Sequence, residues 1–199
     1  MKSKNIKLAF LLIALMVTAG ACKNSTAMKD TTFKQISPKE IQDNSVKMIA
    51  DDWLLITAGD KDNFNMMTAS WSTIGYLWGQ AVVFIFVRPQ RYTYEFMENS
   101  SYFTLTVFEE KYRDILQFCG TKSGRDYNKV KETGLKPLFT ELGNVYYEQA
   151  RLVIECEKIY ADFLKEDAFI DKTIIENAYP NRDFHKMYVG KILNVWVKE

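Results

Sequence analysis

Residues that support catalysis by themselves are scarce in this chain. Its 199 residues include one histidine, His185, and three cysteines, Cys22, Cys119 and Cys156. A histidine-rich metal centre therefore cannot be assembled, and a Ser-His-Asp triad finds little support. The cysteines are not spaced as Cys-x-x-Cys, and no pair of carboxylates lies in an apolar context that would favour acid–base catalysis. Nucleophile or metal chemistry is therefore disfavoured, and no metal ligands are predicted.

Charge of one sign is also lacking. The formal net charge is +1 at pH 7, and no basic patch with interleaved aromatic residues is present, so nucleic acid is not an expected partner. Hydrophobic residues make up 47% of the chain and charged residues 26%, which is ordinary for a soluble globular domain. Aromatic residues are more prominent at 14%, which suits a β-rich architecture.

The N-terminus has the pattern of an export signal. Three lysines within the first seven residues precede the apolar run Leu8–Val17, and small residues then lead into Cys22. The apolar run is too short for a comfortable membrane span. The cysteine position resembles a bacterial lipobox, with Ala19 where leucine is usual. We expect residues 1–22 to be a lipoprotein signal with Cys22 lipidated, and the alternative is a plain signal peptide with an incidental cysteine.

The two remaining cysteines have two interpretations. If Cys22 carries lipid, Cys119 and Cys156 could pair in an oxidising compartment. Cys156 lies in an apolar, strand-like segment, where a buried free thiol is the commoner state. The sequence does not place their Cα atoms within bridging distance, so both interpretations stay open.

The rest of the chain is predicted to hold one mainly β domain. Residues 23–42 are polar and rich in lysine and threonine, which predicts a flexible tether, and residues 43–199 show no internal linker. Apolar alternation and apolar runs predict strands at 53–58, 65–71, 81–87, 102–108, 151–161, 169–176 and 186–197. Short helices are expected at 91–99, at 109–118 and through Lys129 and Val130. A barrel is the natural way to bury so many strands.

The stretch from Asn65 to Thr93 is the strongest indication of a ligand. It places two arginines, Arg88 and Arg91, near five hydroxyl side chains, those of Thr68, Ser70, Ser72, Thr73 and Thr93. Guanidinium groups match phosphate oxygens bidentately, and hydroxyls can satisfy the remaining acceptors. This pattern favours a phosphate-bearing cofactor. The alternative is that both arginines are surface residues paired with Glu95 or Asp126.

Three further features bear on the same site. The loop 120–125 carries two glycines and the donors Thr121, Lys122, Ser123 and Arg125, although such composition also describes an ordinary exposed turn. Trp71 and Trp78 could stack on an aromatic ligand, but packing in the barrel core is the favoured interpretation. His185 precedes the last predicted strand, and core, surface and site roles stay open for it.

Four motifs in order resemble one known family. They read M-T-A-S-W, R-P-x-R-Y-T, S-G-R-D-x-x-K and H-x-x-Y-V-G-K-I, and they span about residues 46–197. The order resembles the flavin reductase-like family, in the flavoredoxin branch of the FMN-binding split barrels. The resemblance implies a split β-barrel with a few short peripheral helices. It also implies non-covalent FMN and a homodimer with the flavin near the subunit interface.

The resemblance also implies roles for single residues. Thr68, Ala69, Ser70 and Trp71 correspond to the segment along the flavin. Arg88, Arg91, Tyr92 and Thr93 correspond to the segment that holds the ribityl phosphate, with Gln90 where a serine or lysine is usual. Ser123, Gly124 and Lys129 correspond to a later loop near the cofactor, and Lys129 or Arg125 would favour the reduced anionic ring. His185 corresponds to a histidine associated with nicotinamide binding or electron transfer.

The expected function follows from this resemblance. The protein would be an exported, lipid-anchored FMN oxidoreductase or electron-transfer protein, with membrane contact only through its N-terminal anchor. Hydride or electrons from a reduced nicotinamide or a redox protein would pass through flavin N5. One alternative is a non-enzymatic carrier or sensor that holds FMN or haem. Another is a cofactor-free lipoprotein adaptor that binds a partner through its surface loops.

Overall fold

The computed structural model describes residues 32–199. The predicted signal segment, Cys22 and the first part of the predicted tether lie outside the described residues. The strands are β1 (Phe33–Ile36), β2 (Leu54–Gly59), β3 (Phe64–Ala69), β4 (Ser72–Leu77), β5 (Gln80–Val87), β6 (Tyr102–Val107), β7 (Pro137–Phe139), β8 (Val145–Tyr147), β9 (Leu152–Phe163) and β10 (Lys186–Lys198). The helices are α1 (Ser45–Lys47), which continues into a π-helical turn (Met48–Asp52), α2 (Thr93–Asn99), α3 (Arg113–Thr121), α4 (Lys129–Thr133) and α5 (Thr173–Ala178). Short 3-10 turns lie at Pro38–Glu40, Glu110–Tyr112 and Glu166–Ala168.

Eight strands form one antiparallel sheet that curls into a split barrel. The order is β3-β2-β6-β9-β10-β5-β4, and β1 adds to β10. The two outer strands of this path, β3 and β4, are consecutive in sequence and are separated only by Ser70 and Trp71. Three Cα–Cα steps span at most about 11 Å, so the two edges must meet at this end. The sheet therefore closes on itself with a seam between β3 and β4, and the predicted mainly β split-barrel fold is confirmed.

The core explains two sequence features of the barrel. The apolar run of β5 buries Val82, Val83, Ile85 and Val87. On β10, a Cβ added at Gly190 would lie 2.5 Å from Cζ of Phe103, so the glycine of the V-G-K-I motif leaves room for a buried ring.

The turn between β4 and β5 has positive φ at both Trp78 and Gly79, as a tight two-residue hairpin requires.

Two segments differ from the sequence prediction. The tether was expected to extend to residue 42, but Phe33–Ile36 pairs with β10, so the domain begins before residue 43. Phe33 also packs edge-on against Tyr146, which helps to hold this strand. The strand predicted at 169–176 is wrong, because Thr173–Ala178 is helical. Ile175 in this helix and Tyr179 directly after it are both buried and lie four positions apart, which is a helical spacing.

The cysteines and the helices settle two smaller points. Cys119 and Cys156 are separate, buried free thiols, so of the two interpretations the unpaired one holds in the structure. Across residues 32–199, no helix combines the length and the apolar character needed to cross a membrane.

Candidate cofactor-binding site

The residues predicted to bind a cofactor line two adjoining clefts at the barrel seam. The first, which we call the seam cleft, has a volume of about 190 Å³ and is lined by Met67, Thr68, Ala69, Ser70, Trp71, Phe86, Arg88, Arg91 and His185. The second, the loop cleft, has a volume of about 120 Å³ and is lined by Asn65, Gln90, Arg91, Tyr92, Thr93, Thr121, Lys122, Ser123, Gly124 and Lys129. Arg91 lines both clefts. Three distant segments of sequence therefore meet around one arginine.

The seam cleft has an aromatic wall. The Trp71 side chain is 49% exposed, and its ring centroid lies 5.2 Å from that of His185. The expectation that Trp71 and Trp78 pack in the core is wrong, since Trp78 is 62% exposed at the β4–β5 turn. Trp71 directly precedes β4 at the seam between β3 and β4. The Thr68 hydroxyl, in contrast, donates to the Leu116 carbonyl at 2.5 Å and ties β3 to α3.

Arg88 is neutralised within the fold. Its guanidinium forms an ion pair with Asp183 and donates to the Ala178 carbonyl at 2.8 Å. Gln90 Nε2 donates to the same Asp183 Oδ2 at 2.6 Å. The alternative partners suggested by the sequence, Glu95 and Asp126, are therefore wrong for Arg88. Glu95 instead forms an ion pair with Arg125.

Arg91 has no such counter-charge. Its Nη2 donates to the Cys119 carbonyl at 3.4 Å, and within residues 32–199 it makes no ion pair. Burial lowers the pKa of the Arg91 guanidinium, and the neighbouring charge of Arg88 lowers it further. Arg91 is thus the arginine of the predicted pair that keeps its charge available to a ligand.

Lys129 adds a second unneutralised cation beside Arg91. Its side chain is 4% exposed, and its Nζ donates to the carbonyl oxygens of Met66 and Cys119, each at 2.8 Å. No carboxylate of the described chain forms an ion pair with it. Burial lowers the pKa of the Lys129 ammonium to about 8, an effect that Cys119 opposes and Arg91 reinforces. The two cations leave the loop cleft with excess positive charge.

Gly124 allows the loop to close over this pair. A Cβ added at Gly124 would lie 2.1 Å from Oδ1 of Asn65 and 3.0 Å from Cδ1 of Tyr92. Asn65 in turn donates from Nδ2 to the buried Thr93 hydroxyl oxygen at 2.8 Å. The Thr93 hydroxyl accepts this bond and keeps its own proton to donate. The floor of the loop cleft is therefore fixed by contacts that only glycine permits.

Comparison with known proteins assigns this fold to a family. Residues 46–199 match the flavin reductase like domain. The chain belongs to this family. A search of the curated proteins found no match to the sequence.

Solved structures share the fold of this flavin reductase-like protein. An FMN-binding protein from Thermus thermophilus, solved with p-hydroxybenzaldehyde, is 19% identical with a TM-score of 0.58 over 74% of this chain and 71% of that chain. The flavoredoxin of Desulfovibrio vulgaris is 22% identical with a TM-score of 0.57, over 74% of this chain and 69% of its own. An NADH:FAD oxidoreductase of Streptomyces globisporus, solved with NAD and FAD fragments, is 15% identical with a TM-score of 0.54, over 72% and 73%. At these identities the likeness establishes the shared fold.

His185 of the flavin reductase-like domain is buried and electrically neutral. It is 7% exposed, and its Nδ1 shares a hydrogen bond of 2.8 Å with the Tyr179 hydroxyl. Burial lowers its pKa to about 4, and the charge of Arg88 contributes to that shift. Near pH 7 the His185 ring is therefore an uncharged imidazole beside Trp71. Its position in the seam cleft depends on the hydrogen bond to Tyr179.

Sequence reasoning missed three residues that shape the two clefts. Asn65 anchors Thr93, Asp183 neutralises Arg88, and Tyr179 orients His185. Asp183 Oδ1 is also buried without a hydrogen-bond partner among residues 32–199. Asp183 lies two positions before His185, and that proximity is the one signal in the sequence that could have indicated it. Of the five hydroxyl-bearing residues that the sequence suggested near the two arginines, Ser72 and Thr73 line neither cleft.

Proposed function

We propose that this protein binds FMN in the two clefts and acts as a flavin-dependent oxidoreductase or electron-transfer protein. The seam cleft would receive the isoalloxazine ring, and the loop cleft would receive the phosphate. The observation that carries the proposal is the pair of unneutralised cations, Arg91 and Lys129, directly beside a cleft walled by an exposed tryptophan. Because Arg91 lines both clefts, one molecule can occupy them together.

The donors present match the chemistry of FMN. A phosphate monoester carries about −1.5 to −2 charges at pH 7 and offers three strong acceptor oxygens. Arg91 and Lys129 supply charge, while Thr93 and Ser123 supply hydroxyl groups at the same cleft. The flat aromatic part of the cofactor requires an apolar slot, which Trp71 and Phe86 line in the seam cleft. The pairing of these two environments favours a flavin mononucleotide over a simple anion.

A bound flavin would supply the redox chemistry at N5, so the protein needs no nucleophile of its own. The residues present would set geometry and potential. Trp71 would limit water access to one face of the ring, and neutral His185 would present an uncharged polar group at the cleft wall.

Location and assembly are part of the same proposal. The N-terminal pattern supports an exported lipoprotein anchored through Cys22 on the periplasmic side of the cell envelope. Export makes cytosolic NAD(P)H an awkward donor, which favours a redox protein as donor and an electron-carrier role. A homodimer is supported by exposed aromatic side chains along β4 and its turn, with Tyr76 68% and Trp78 62% exposed. A second copy of the chain would cover such a surface.

The absorption spectrum of the purified protein tests the main proposal. We expect a yellow preparation, or a colourless one that takes up added FMN with quenching of the flavin fluorescence. A colourless preparation that does not bind FMN would contradict the proposal and favour the adaptor alternative. Trp71→Ala should weaken binding, while the matched change Phe139→Ala, at an exposed aromatic residue that lines neither cleft, should leave it unaltered.

Rapid mixing of the FMN-loaded protein with NADH or NADPH separates an enzyme from a carrier. Bleaching of the flavin absorbance within seconds indicates a reductase. A flavin that stays oxidised with nicotinamides, but is reduced by a small redox protein or by dithionite, supports the alternative of a non-enzymatic carrier. Membrane fractionation of the wild-type chain and Cys22→Ser tests the anchor, since only the wild type should remain in the membrane fraction.

A further inference from the structure

A third cleft, which we call the β1 cleft, shares no residue with the seam cleft or the loop cleft. Its volume is about 390 Å³, within the usual range for small-molecule sites. Strand β1 contributes Phe33 to its lining, β9 contributes Glu155, and β10 contributes Asn194 and Trp196. Nothing in the proposed flavin chemistry uses these residues.

Glu155 is a buried carboxylate that lines the β1 cleft. Its side chain is 1% exposed. Oε1 accepts a hydrogen bond from Nδ2 of Asn144 at 2.7 Å, and Oε2 accepts one from Nδ2 of Asn194 at 2.7 Å. Both donors are neutral amides. The Asn194 amide is itself held by Gln35, whose Nε2 donates to Asn194 Oδ1 at 2.8 Å.

The charge of Glu155 is not compensated within the described chain. Among residues 32–199 it forms no ion pair, although a buried charge without a counter-charge is costly. A carboxylate offers about four acceptor positions, and the two amides occupy two of them. Since Glu155 lines the β1 cleft, the remaining positions suit the N–H groups of a cation seated there.

The rest of the lining combines aromatic and aliphatic side chains with two amides, Gln35 and Asn194, and the acidic Glu141. Trp196 stacks on Tyr146 with ring centroids 6.4 Å apart, so its ring is braced from behind. Leu142 is 50% exposed, and Glu141 beside it is exposed. Aromatic faces attract organic cations, and the aliphatic groups suit a carbon stem. An inorganic cation would instead need several oxygen ligands, and no group of three acidic, histidine or cysteine side chains in residues 32–199 is arranged to hold a metal.

We propose that the β1 cleft binds a small organic ammonium ion, with the ammonium group at Glu155 and its apolar stem against Trp196 and Leu142. The binding does not depend on a flavin, so it can be tested separately from the proposed redox function. Strand β1, which lines the cleft, is the first strand after the N-terminal segment that would carry the lipid anchor. The cleft would therefore include the part of the domain that is nearest to that segment in sequence.

Isothermal titration of the purified full-length chain with n-butylammonium chloride tests this site. We expect saturable binding, and we expect n-butanol, which has the same stem without the charge, to bind at least about tenfold more weakly. Glu155→Gln should weaken n-butylammonium binding about tenfold or more. The matched change Glu157→Gln, on the same strand but outside the cleft, should alter it by less than about twofold.

A second variant keeps the test decisive if Glu155→Gln folds poorly. Leu142→Trp fills the rim of the cleft without touching the bonds of Glu155, and it should also abolish binding. The proposal is overturned if n-butylammonium shows no saturation up to about 10 mM, if n-butanol binds equally well, or if a folded Glu155→Gln protein binds like the wild type.

Discussion

The side chains of Arg91 and Lys129 donate to one acceptor, the main-chain carbonyl oxygen of Cys119, at 3.4 Å and 2.8 Å. A carbonyl carries only a partial charge, so it orients the two cations without neutralising them. Burial lowers the pKa of both side chains, and the charge of Arg91 lowers that of Lys129 further. This arrangement is stabilised when an anion binds, which makes the pair the natural target for mutation.

Arg91→Ala is expected to weaken FMN binding about 10- to 100-fold, because one charge-assisted contact to phosphate contributes about 1.5–3 kcal/mol. The dissociation constant can be measured by quenching of FMN fluorescence. Arg125→Ala is the matched control, since Arg125 lies on the neighbouring loop but is paired with Glu95 and stacked over Tyr92. If both variants lose affinity equally, the phosphate lies elsewhere than beside Arg91.

Lys129 makes FMN affinity depend on pH. Its pKa is lowered from 10.5 to about 8, so the ammonium loses its proton as the pH rises through about 8 in the ligand-free protein. We expect FMN affinity to fall over that range, with proton uptake on binding above it. Titrations at pH 7 and pH 9 measure the effect, and Lys129→Met should bind weakly at both values. An affinity of the wild type that is equal at both pH values would contradict this role.

The same shift has a consequence for folding. The unfolded chain holds the Lys129 proton more tightly than the folded one, so the free energy of unfolding should rise between about pH 8 and 10.5 in the ligand-free protein. The total gain is on the order of 3 kcal/mol. Urea unfolding of wild type and Lys129→Met across this range provides the measurement. The variant should lack the rise.

Strands with strong apolar patterns were predictable from the sequence, and strands with weak patterns were not. The run 81–87 and the alternation from 151 to 161 correspond to β5 and β9, because each strand buries four apolar side chains. Strand β4 (Ser72–Leu77) was missed, because no residue in it is fully buried and its pattern is that of an exposed edge. Strand β1 was missed because its polar composition resembles a tether, while its order comes from pairing with β10.

The site residues were predictable as a group, but their individual roles were not. Arg88 and Arg91 look equivalent in sequence, since each follows a strand and precedes a helix. What separates them is Asp183, which lies 95 positions after Arg88 and reaches it only through the fold. Lys129 likewise meets Arg91 through a carbonyl of α3, a main-chain contact that leaves no signature in residue types.

Gly124→Ala should disrupt the loop cleft. The added methyl would lie 2.1 Å from Oδ1 of Asn65, so Asn65 must move and its bond to Thr93 is lost. We expect a loss of about 1–3 kcal/mol in stability and weaker FMN binding, because both the loop and Thr93 shift. Thermal unfolding and FMN titration measure the two effects. Gly75→Ala is the control, since a Cβ there meets nothing within 4 Å; equal behaviour of the two variants would show that the loop adapts freely.

His185 should stay neutral down to unusually low pH. Its pKa is lowered from 6.5 to about 4, first by burial and then by Arg88, so the folded protein takes up this proton later than the unfolded chain does as the pH falls. The contribution of His185 to the free energy of unfolding should therefore be fully present above about pH 6.5. It should be lost as the pH falls from about 6.5 towards 4, by up to about 3 kcal/mol. His185→Gln should remove this part of the decline. Since the chain has one histidine, a single imidazole resonance in tag-free protein reports the titration, and a midpoint near 6.5 would show that Tyr179 and the cleft wall do not enclose the ring.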